Sequence, residues 1–172
     1  MDGDTATNAA RNFVIQQGFE APDAASCPVL TSALLFQPRV VGLSGLVAAL
    51  LKSGPLFAAL AAVLWWSALL PRWNPFDALH NYLFAGRPGV PRLTPAPGPR
   101  RFAQGMAGGF AAAIAICLLT GAPRAGLVIE AFFFVAVAAI AFGRFCLGSF
   151  LFHLAHGRVS FALRTLPWGR GV

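Results

Sequence analysis

Charge is what this chain has least of. Asp, Glu, Lys and Arg make up 11% of its 172 residues, where a soluble domain carries roughly 25%. Acid is scarcest: six Asp and Glu stand against thirteen Lys and Arg, and lysine occurs once, as Lys52. Water solvates such a chain poorly, so a soluble globular domain is not expected. The three cysteines, Cys27, Cys117 and Cys146, form no CxxC and no zinc-type spacing, which speaks against a disulfide scaffold or a zinc finger. No GxSxG, Walker A or HExxH motif occurs, leaving the familiar hydrolase, nucleotide and metalloprotease routes without support. The start, MDGDTATNAARNF, lacks the basic-then-apolar pattern of a cleavable signal peptide. The first span is therefore expected to act as an uncleaved anchor.

What is present is apolar. Hydrophobic residues reach 57%, with a mean hydropathy of +0.67, and lipid is the natural solvent for them. A net charge of +7 could point to nucleic acid, but the arginines sit between apolar runs. That is where the positive-inside effect places them, and no nucleic-acid partner is expected. The fold class read from this pattern is all-α: a polytopic bundle of four membrane helices with a short interfacial helix after the second. A polar, partly disordered cytoplasmic N-terminus covers 1–26, the membrane domain 27–157, and a basic cytoplasmic tail 158–172.

The four spans fall at about 38–53, 55–71, 102–120 and 126–144. The first is short, reaching about 24 Å against a bilayer core of roughly 30 Å. It must thin the bilayer or recruit residues before Pro38. After the second span, Asn74-Pro75 reads as an N-cap and first helical residue, with Asp77 in the first turn. A basic Pro/Gly loop follows over 85–101. The fourth apolar stretch overshoots a bilayer and runs on to 156, as a helical extension or a break beyond Arg144. Arg39 and Arg144 are read as charges at membrane exits, Arg39 snorkelling to the headgroups. With four spans, every basic residue except Lys52 and Arg124 falls on one side, which puts both termini in the cytoplasm of a bacterial inner membrane.

Several constellations could carry function. Gly105 and Gly109 form a GxxxG, suited to close helix packing within the bundle or to a homo-oligomer. Cys146, Ser149, His153 and His156 share one face if the last helix is continuous, with thiol and imidazole as metal ligands. Asp77 and His80, one turn apart on the same side of the membrane, could complete such a site. Cys27 and Cys146 are the two thiols the topology brings to one face. Glu130 is an intramembrane acid, functional by default, with Arg124 or Lys52 as its nearest basic neighbours.

CPVL near the start, NPFDALHNYLF after the second span, PRRFAQGMAG opening the third and FCLGSFLFHL ending the fourth resemble a bacterial membrane family of unknown function. The resemblance spans about Asn12 to Arg158 and implies a four-helix membrane protein without an assigned reaction. Many members are similar to FCLGC at the last motif; Ser149 stands at that second cysteine, which removes a local dithiol. The preferred reading is a non-enzymatic helix bundle or accessory subunit that binds a protein or lipid partner, with no cofactor. One alternative is thiol-redox or metal handling at Cys27, Cys146, His153 and His156. A second is small-solute transport using Glu130.

Overall fold

The computed structural model describes residues 2–23, 25–87 and 89–169, with side chains from residue 7 onward. Among the described residues every regular element is helical. Helix α1 (Asp2–Gln16) occupies the segment expected to be partly disordered. One face of it carries Phe13 and Val14, which are fully buried, so apolar burial orders an otherwise polar stretch.

Helix α2 (Cys27–Leu34) begins with Pro28 in its first turn, and α3 (Phe36–Leu50) follows almost directly. The short first span thus recruits residues before Pro38. Cys27–Leu50 together is one of three helices long and apolar enough to cross a membrane, beside Gly98–Leu119 and Pro123–Ala141. Arg39 therefore stands near the α2–α3 junction, exposed. The chain then turns at Lys52, whose φ is +47°. Lys52 and Ser53 donate to the carbonyls of Ala49 and Ala48, the bond pattern that usually calls for glycine.

Helix α4 (Gly54–Leu69) is capped by Ser53, whose hydroxyl accepts from the Leu56 amide. It is the expected second span, but its 16 residues fall below the membrane-length class; Pro71 ends it. Only three of the four expected spans thus reach membrane length. Helix α5 (Pro75–Phe84) starts as the sequence suggests, with the Asn74 side chain accepting from the Phe76 amide.

Helix α6 (Gly98–Leu119) begins at Gly98 rather than Phe102. The expected loop ends early because Pro99 fits a first helical turn, where no backbone N–H is needed. Arg100 and Arg101 therefore become helical, and Arg100 and Gln104, four apart, share a face. Helix α6 is the centre of the bundle, packed on α4, α7 (Pro123–Ala141) and α8 (Leu147–Ala155). A short α9 (Val159–Arg164) follows.

Two cores result. One lies between α3, α4, α6 and α7, around Phe57, Leu64, Ile114 and Phe133. The other joins α1, α2 and the start of α8 through Phe13, Leu34 and Cys146. The terminal segments meet as well: the Asn12 side-chain amide donates to the Leu166 carbonyl at 2.9 Å. Arg170, counted above with the basic tail, lies outside the described residues.

Candidate functional site: a buried polar cluster at one end of the bundle

Beyond α7 the helix breaks. Arg144 takes a left-handed φ of +51°, and Cys146 is the N-cap residue of α8. Cys146, Ser149 and His153 do share one buried face. His156 does not join them: it lies past the end of α8, exposed, stacked on Phe152 at 4.0 Å.

The buried three are held by α1. The Gln16 side chain accepts from the Cys146 amide at 3.0 Å, and the Gln16 carbonyl lies 2.9 Å from His153 Nε2. A carbonyl can only accept, so Nε2 carries the proton and Nδ1 is bare. That Nδ1 is buried without a partner. Burial holds the imidazole below its ordinary titration range, reinforced by the Arg158 and His156 charges. Stability at this contact is accordingly present above about pH 6.5, the ordinary histidine value, and falls as acid protonates the unfolded chain first. Thermal unfolding in detergent should show this acid-side loss, and His153→Gln should flatten it; an unchanged slope in the variant would count against the assignment.

Burial likewise pushes the Cys146 thiol up, partly offset by Ser149 and by the nearby Arg100 charge. The Ser149 hydroxyl donates to Cys146 Sγ at 3.3 Å. That donated hydrogen favours the thiolate, so it is burial and not Ser149 that keeps this thiol neutral, a poor nucleophile and a poor metal ligand. Cys27 is buried too, and both thiols are free, as is half-buried Cys117.

Asp77 and His80 lead elsewhere. Arg100 donates to the Asp77 carboxylate through Nη2 at 2.7 Å and Nη1 at 3.3 Å. Asn74 adds a third donor to Asp77 at 2.9 Å. His80 packs between the Phe36 and Phe84 rings. Among the described residues no three His, Cys, Asp or Glu side chains gather to hold a metal ion. Glu130, half-buried on α7, makes no ion pair with Arg124 or Lys52.

The glycines also sort differently. A methyl at Gly105 would meet only Ala68, at 3.9 Å, and at Gly109 nothing within 4 Å. Gly108 is the tight position, where the Trp65 ring would lie 2.6 Å from an added Cβ.

The residues that organise this end are the ones sequence patterning passes over. Arg100 Nη2 and Gln104 Nε2 both donate to Gln37 Oε1, at 3.0 and 2.9 Å. All four glutamines of the chain, Gln16, Gln17, Gln37 and Gln104, are buried. Their scarcity in an apolar chain is the one available signal. Beside them lies a cavity of about 120 Å³ between α3, α6, α7 and the start of α8.

Fold and site define a class: a small all-helical protein whose three membrane-length helices and one shorter apolar helix close over a buried polar cluster. Within that class, the chain belongs to the DUF4395 family, a domain of unknown function, whose profile matches residues 31–156. No curated protein and no solved structure matches the chain.

Proposed function

We propose that the chain is a four-span bacterial inner-membrane bundle with both termini cytoplasmic, serving as a non-enzymatic accessory subunit for a protein partner. The observation that carries the topology is the Asn12–Leu166 contact. It joins the two terminal segments, and segments in contact lie on one side of a bilayer. This supports an even number of crossings, reached when α4 is counted although it extends only about 24 Å. Local thinning accommodates so short a span at modest cost. Helix α5 then lies on the cytoplasmic face, where Trp73 and Tyr82 are exposed and suit an interfacial aromatic belt.

Partner binding is supported by α7, the least covered of the long helices. Leu127, Val128, Phe132 and Val135 are all exposed on it. Side chains of this kind, with open Gly109 on the neighbouring helix, offer a surface that lipid or another helix can cover. Cys146 held neutral lends less support to thiol or metal chemistry.

Reporter fusions test the topology. A periplasm-active phosphatase should work when joined after Ser53 or Gly121 and stay silent after Gly89 or Gly169. Activity after Gly89 would sink the four-span arrangement. For the partner, a photo-crosslinking residue at Val128 should capture a discrete protein in native membranes, while one at buried Phe133 should not. Lipid adducts alone from Val128 would remove the accessory-subunit reading.

A further inference from the structure

The cavity beside the glutamines carries an inference independent of topology and partner. Its polar end is lined by Gln17, Gln37, Arg100, Gln104 and Cys146, and its remaining wall is apolar, with Val41, Phe110 and Phe133 among the residues. The hydrogen-bond assignment at the polar end is determined by Arg100. Guanidinium has no acceptor, so the Gln37 atom facing it is the oxygen. That same oxygen then requires the amide nitrogen of Gln104. Gln104 Oε1 is left over, buried and without a partner. Gln17 Nε2 is also buried and unpartnered.

Unsatisfied buried polar atoms are costly and uncommon in native proteins. These two ask for opposite things: Gln104 Oε1 needs a donor, Gln17 Nε2 an acceptor. A hydroxyl supplies both. A charged head is disfavoured, because Arg100 is already matched by Asp77 at 2.7 Å and Cys146 is held neutral. An engineered apolar cavity of about 150 Å³ takes up benzene, so this space suits a single ring.

We propose that this cavity binds a neutral ring-sized amphiphile with a hydroxyl head, of the phenol class. The hydroxyl donates to Gln104 Oε1 and accepts from Gln17 Nε2, and the ring rests among Val41, Phe110 and Phe133. Cys146, lining the same space, is a reporter of occupancy rather than a reactant.

The test uses the whole protein in lipid nanodiscs, with N-ethylmaleimide alkylation read for each cysteine by peptide mass spectrometry. The probes are 4-ethylphenol and ethylbenzene at equal mole fraction in the lipid. 4-Ethylphenol should slow alkylation of Cys146 and leave Cys27 and Cys117 unchanged. Half-protection should need about five- to a hundredfold less of it than of ethylbenzene, the worth of two hydrogen bonds. Gln104→Leu should cut that preference to the few-fold left by Gln17, and Gln104→Leu with Gln17→Leu should erase it, while ethylbenzene still protects. Should Gln104→Leu fail to fold, Ala136→Leu fills the cavity from α7 and should abolish protection by both probes. Equal protection by the two probes would make the space a non-selective apolar void, and no protection would mean water or nothing occupies it. Either result overturns the proposal.

Discussion

Arg100→Ala destabilises the bundle by about 3–5 kcal/mol, the cost of leaving a buried charge without its partner. The Arg100 and Asp77 side chains are 4% and 8% exposed, so neither can turn to water when the other is lost. Arg100 also donates to Gln37, and through that oxygen it positions Gln104. The variant therefore loses more than one Coulombic pair. Arg100→Lys should recover little, because a single ammonium cannot span both carboxylate oxygens and Gln37. The double variant Arg100→Gln with Asp77→Asn, which removes both charges, should be more stable than Arg100→Ala alone. Unfolding titrations in mixed detergent micelles read all three. Wild-type stability in Arg100→Ala would mean that water reaches Asp77 and that the pair is not truly buried.

The second large effect is expected at Gly148, where α8 crosses α6. An added Cβ there would lie 2.6 Å from Ala103 Cα and 2.7 Å from its Cβ. Backbone, unlike the tip of a flexible side chain, cannot move aside cheaply. Gly148→Ala should cost about 1–3 kcal/mol, the usual range for overpacking, and Gly148→Leu more. The damage has a specific signature: as α8 lifts, the Gln16 contacts to Cys146 and His153 loosen and Cys146 alkylates faster. Gly109→Ala is the contrasting control. Nothing lies within 4 Å of its added methyl, and alanine is the better helix former by up to about 1 kcal/mol. It should be neutral or stabilising in the monomer, and a loss of self-association in that variant would reveal a partner helix at Gly109.

These two positions mark what was legible in the sequence and what was not. Local rules worked where their cause is local. Asn74 caps α5, Pro75 opens it, and the chain breaks near Arg144, because each depends on a few adjacent residues. Prolines dominate the neighbourhood of Arg100, so local pattern places it in a loop, whereas Pro99 sits in the first turn of α6. The partner of Arg100, Asp77, is 23 residues away, across a connection whose path no periodicity encodes. The GxxxG at Gly105 and Gly109 is visible, but close approaches fall at other glycines, Gly54, Gly108 and Gly148 among them, because spacing shows which glycines align and not which face meets a neighbour. Spacing groups Cys146, Ser149, His153 and His156, and in the structure the first three are buried while His156 is exposed. The anchor of the buried three, Gln16, is not grouped with them, since it comes from the other end of the chain.

The clasp between Asn12 and the tail has a consequence for biogenesis. Contacting residues 154 positions apart cannot meet until synthesis has passed Leu166. Helix α1 can pack on α2 early, but its links to the start of α8 and to the tail wait for the insertion of every later helix. An amphipathic segment in that state rests on the membrane surface. Docking of α1 onto the start of α8 then becomes the closing step of assembly, and a chain cut short before Leu166 would remain inserted but unlatched.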